Sequence, residues 1–172
     1  MAEGRFRTLA TELAFHGAPR ELVERCEQAG GEEVGPEAPA RPLVDIAVEN
    51  AVEGVRELFA AAEARVRASC ARDEGSRARL ARIADDEAKR VDLGAAVDAC
   101  LHAWLDAAGR VRVRAATAKA RRELRAEIAA RLERSAPEPS EVQKHAGVPS
   151  PDVALALFDL VTTTFAKPEI SG

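Results

Sequence analysis

Most acidic residues in this sequence stand three or four positions from an arginine, the spacing at which side chains on a helix surface pair. Two stretches do not fit that pattern. Leu22, Cys26, Ala29 and Glu33 fall on one face at about 100° per residue. Leu80, Ala84, Glu87, Val91 and Asp98 do the same. A carboxylate on a core-facing stripe is costly unless something neutralises it. Metal ions and arginines are the usual partners. Glu53 shares a face with Ile46, Glu57, Ala60 and Ala64, opposite a stripe of Val44, Val48, Ala51, Val55, Leu58 and Ala62. Two readings of that second face stand side by side: a pocket of small residues around carboxylates, or an ordinary solvated face. His16 falls on the apolar side of its helix with Phe6, Leu9 and Leu13, and reads as a packed core histidine.

The elements that must position these residues are marked out by proline and glycine. The pattern predicts helices over 3–16 and 19–33, separated by Gly17, with Pro19 in the first turn, where it forfeits no intrahelical bond. Gly35 and Pro36 end the second helix, and Pro36, Pro39 and Pro42 keep the connection extended. A third helix is predicted from 42 or 43 to 72. A fourth follows from 77 to 108, with Ser76 as its N-cap and Gly109 as its stop. A fifth runs over 111–133, a short one over 140–146 and a last one over 151–165. The alternating run 110–114 has no strand partner and reads as the start of the fifth helix.

With 172 residues, the chain suits one all-α helical bundle. Aromatics make up 3% and tyrosine is absent, so the core is built from Ala, Val, Leu and Ile. We expect a bundle over residues 1–134 and a helical extension over 135–172 packing on it. Acid and base are interspersed at a net charge of −4, which argues against nucleic acid as a partner. No apolar run approaches the roughly 18 residues of a membrane helix, and no signal peptide opens the chain. Cys26, Cys70 and Cys100 are odd in number and far apart, and read as reduced thiols of a cytoplasmic protein. Glycine-rich phosphate loops and an arrangement that would mark a nucleophile are both lacking, so no catalytic residue is assigned.

Three segments carry a family resemblance. FRTLATELAFHGAPRELVERCEQAGGEE resembles the first two helices of bacterial ferritin-like proteins, which a Gly-Ala-Pro turn joins. PLVDIAVENAVEGVRELFAA is similar to the third helix and ARIADDEAKR to the fourth, so the likeness covers residues 6–106. In that family one Glu from each of two helices and a Glu-x-x-His pair from each of the other two hold two irons. The resemblance carries those roles onto Glu33, Glu53 (with Glu57 as its rival one turn away) and Glu87 as remnant metal ligands. It also shows departures. Pro36 stands where the first histidine would be and Arg90 where the second would be, and the first-helix Glu falls before Met1. Arg90 places a fixed charge where a dication would sit. At i+3 it can instead pair with Glu87, and removing it from a buried pair would cost roughly 3–5 kcal/mol.

The resemblance therefore implies a ferritin-like protein without di-iron chemistry, acting as a structural, binding or regulatory module, with no cofactor. The alternative is an iron-binding oxidoreductase with an altered carboxylate set and His16 or His102 as nitrogen donor, in which the metal would activate O2 or peroxide. A third reading is a helical interaction protein with no kinship to ferritins. A second helix cut short would leave apolar surface that a second copy could cover, so a homo-oligomer is expected.

Overall fold

Alanine, leucine, arginine and glutamate carry most of this chain, and all four favour helix. The computed structural model describes residues 3–30, 41–134 and 147–164, and among them every regular element is helical. In chain order these are α1 (Glu3–Phe15), α2 (Arg20–Ala29), α3 (Leu43–Cys70), α4 (Glu74–Trp104), α5 (Ala107–Arg134) and α6 (Pro151–Thr164). The all-α expectation holds. The end of the second predicted helix, its Pro-rich connection and the short 140–146 helix lie outside the described residues.

Local chemistry sets the boundaries. After α1 the Ala18 N–H reaches Leu13 O at 2.9 Å and the Gly17 N–H reaches Ala14 O at 3.1 Å, with Gly17 at φ 79°. This is a Schellman stop, and its left-handed position suits glycine. Pro19 then stands immediately before α2.

Two predicted boundaries are corrected. Asp73, not Ser76, caps α4: its Oδ2 accepts the Ser76 N–H at 2.6 Å. That bond, first among its causes, holds the exposed Asp73 carboxyl below its usual range. The fourth helix also stops before Gly109. Asp106 Oδ1 accepts the Gly109 N–H at 2.7 Å and so starts α5. Gly109 lies inside that first turn, against Leu105. In both cases an aspartate three residues ahead takes the orphan N–H that the prediction assigned otherwise.

The fold groups into two compact units, each using part of α3, α4 and α5. The first comprises residues 1–53 and 92–116. Its core joins Phe6, Leu9 and Leu13 of α1, Leu22 and Cys26 of α2, Ile46 of α3, and Val97 and Leu101 of α4. The second comprises 54–91 and 117–172. Here Phe59 meets Phe158 edge to face, with ring centroids 5.6 Å apart. Edge-to-face pairs add roughly 0.5–1.5 kcal/mol to area burial. Ala64, Ala68, Ala84, Leu124 and Ile128 complete that interior. Helix α6 therefore seats on α3 by its phenylalanine, and Arg125 of α5 forks Asp159 at 2.9 and 3.0 Å.

Candidate functional site

Both faces of α3 contribute to the interior. Ile46, Asn50 and Ala64 are buried on one, and Ala51 and Val55 on the other. Glu53 and Glu57 lie on the first face and are half-buried, while Ala60 beside them is exposed. The Glu57 Oε2 atom is shut off from solvent. Glu33 lies outside the described residues. Glu87 is half-buried, and Arg90 Nη1 donates to its Oε1 at 3.2 Å. The side chains keep 24% and 27% of their exposure, so Glu87 faces inward only in part. Glu53 belongs to the first unit, and Glu57 and Glu87 to the second. Among the described residues, no three His, Cys, Asp or Glu side chains gather as a metal ion would require.

A different polar cluster is built in the first unit. Asn50 is 1% exposed and ties three helices together. Its amide donates to Asp98 Oδ1 at 2.7 Å and to Gly94 O at 3.1 Å on α4. Its Oδ1 accepts from Arg5 Nη2 of α1. Arg5 also stacks over Phe6 at 5.0 Å from the ring centre, a cation–π contact. Asn50 thus bonds a guanidinium through its oxygen and a carboxylate through its nitrogen. A core-facing carboxylate is stabilised there by a buried donor.

Beside it, Arg41 reaches back to α1 from just ahead of α3. Its Nε and Nη2 fork the two oxygens of Glu12, the second at 2.9 Å, and its Nη1 donates to Glu49 Oε2. Glu12 is 3% exposed, which makes this the most deeply buried carboxylate among the described residues. The bonds to Glu12 and then Glu49 raise Arg41 above its ordinary value, so it is cationic at any working pH. His16 follows α1 and its Nε2 lies 3.2 Å from the Arg41 carbonyl oxygen. A carbonyl only accepts, so Nε2 carries the proton there. His16 thus takes part in this joint.

Between the two networks lies a cleft of about 430 Å³, lined by Arg5, Thr8 and Leu9 of α1, Arg41, and Glu49 and Asn50 of α3. It is electrostatically mixed and contains no thiol. The cysteines lie elsewhere: burial pushes Cys26 up to about 11 and raises Cys100 as well, so both are thiols, not nucleophilic thiolates, at neutral pH.

Asp98 and His16 are the members of this cluster that their helix faces mark out in the sequence. Glu12 lies about 60° from Leu9 at 100° per residue, and Asn50 shares the Ile46 face. Both signals are present in the sequence, at the margin of a stripe. Arg41 gives none, because it precedes its helix. No family model matches the chain, and neither the curated proteins nor the solved structures contain a match to it.

Proposed function

We propose that the chain is a ferritin-like helical module that has lost di-iron chemistry and serves a structural, binding or regulatory role. The observation that carries this reading is the Glu87–Arg90 pair at 3.2 Å. The resemblance puts a ligand histidine at position 90. A guanidinium there cannot ligate, is always charged, and meets the very carboxylate a metal would use. Glu12 supports the same reading, since the buried carboxylate of the first unit is also met by an arginine. Arginines do in this chain what a dication does in a carboxylate bundle: they neutralise inward-facing acids. They fix geometry but bring no redox chemistry.

The test is metal content. Protein produced with ample iron and purified without chelator should carry far less than one iron per chain by elemental analysis. Stoichiometric iron that is lost on Glu87→Ala would replace this reading with an iron-binding oxidoreductase that uses an altered ligand set.

A further inference from the structure

We infer that the first-unit cleft binds a small carboxylate-bearing molecule, held by the outward edge of Arg41, where Glu49 now stands in for it. This deepens the binding reading above and rests on it. The argument starts from how Arg41 is held. A guanidinium has five N–H groups in a fixed plane. Among the described residues, two of them fork Glu12 and one meets Glu49. The Glu12 bond is buried and bidentate, so it orients the plane permanently.

The Glu49 bond is different in kind. Glu49 keeps 51% of its exposure and Arg41 38%, so this contact is made at the cleft mouth, in reach of water. A long solvated side chain held by one bond exchanges readily. A ligand carboxylate arriving in the cleft meets the same N–H edge that Glu49 uses, in the geometry guanidinium favours. Arg5 also lines the cleft, where buried Asn50 accepts from its Nη2. Gly4, in the first turn of α1, also lines the cleft.

The charge balance sets the strength. Among the described residues, the lining contains two guanidiniums and one carboxylate, with the carboxylates of Glu12 and Asp98 nearby damping the field. Binding is therefore weak in the wild type, and Glu49 is its internal competitor. Removing a competitor that occupies the site most of the time tightens apparent binding by the reciprocal of the open fraction, about tenfold for a site open a tenth of the time.

The experiment titrates the full chain, ¹⁵N-labelled, with sodium succinate at constant ionic strength. Backbone and arginine side-chain signals are followed in the wild type, Glu49→Ala and Arg5→Gln. Arg41 itself is left in place, because its loss would orphan Glu12. The expected result is saturable shifts at Gly4, Thr8 and Arg41, about tenfold tighter in Glu49→Ala and weakened in Arg5→Gln. Equal affinity in the wild type and Glu49→Ala overturns the proposal, as does an equal response to inorganic phosphate or chloride, which would reveal diffuse charge attraction only. Iron content is read separately, so a metal-loaded protein that still binds succinate would sink the lost-metal reading and leave this one standing.

Discussion

The two units neutralise inward carboxylates in opposite ways. In the first, Glu12 is almost wholly buried and is forked by an arginine 29 residues further along the chain. In the second, Glu87 keeps a quarter of its exposure and is met by Arg90, its neighbour on the same helix. The first arrangement requires tertiary structure; the second forms as soon as the helix does. Burial sets the difference in cost. A charge orphaned in the interior loses its only compensation, whereas a half-buried one turns to water. The lesson is that the two acid–base pairs, alike in composition, belong to different levels of organisation. One is a clasp between elements and the other a detail of one helix.

Substituting Arg41→Leu applies the strongest stress to that contrast. It leaves Glu12 buried without its fork and should destabilise the protein by about 3–5 kcal/mol in urea unfolding. Glu12→Gln in the same chain should recover part of the loss, because an amide carries no orphan charge. A loss well below 1 kcal/mol for Arg41→Leu alone would mean that Glu12 reaches solvent and that the contrast is empty.

Arg90→Leu comes next. For a fully buried Glu87 the expected cost was in the same range as for Arg41. With both side chains about a quarter exposed, solvent screening lowers it to about 1–2 kcal/mol. Equal losses for the two arginine variants, measured side by side, would erase the distinction between clasp and detail.

The smallest effect is the most local. Two hydrogen bonds from Arg125 hold the Asp159 carboxyl below its ordinary value. Because the folded value is depressed, this pair contributes stability above the ordinary carboxylate range and loses it as pH falls through the folded value. Melting temperature should therefore drop as pH falls from the ordinary carboxylate range through the depressed folded value. Asp159→Asn should show a shallower drop and a slightly lower plateau at neutral pH. An unchanged profile would show that the α5–α6 contact rests on Phe158 rather than on charge.

Much of the fold was legible because helix periodicity and proline placement are local signals. Gly17 and Pro19 marked the α1–α2 joint, and the long third and fourth helices lie where the apolar stripes put them. The boundary errors at Ser76 and Gly109 share one cause. Several residues near a helix start can cap, and only the backbone path decides which N–H is left orphaned. The candidate site was less legible. Asp98 and Glu87 were visible as acids on apolar faces, yet the sequence could not say that the first meets an amide and the second an arginine. Arg41 was invisible, since a residue between prolines ahead of a helix has no face to read. The resemblance to ferritin-like proteins drew attention to Glu53, Glu57 and Glu87, and away from Glu12 and Asn50, which the structure buries most deeply.

The joint made by Arg41 has one more consequence. At the end of α2, Gly30 lies against Arg7 so closely that a Cβ there would come within 2.6 Å of the Arg7 nitrogen. Arg41 is clasped to Glu12 of the same helix. The two residues that flank the stretch 31–40 are thus both moored to α1, at points five positions and about 7.5 Å apart along its axis. A side chain at position 30 would therefore press on α1 five positions ahead of Glu12, so Gly30→Ala should strain the same helix that the clasp holds.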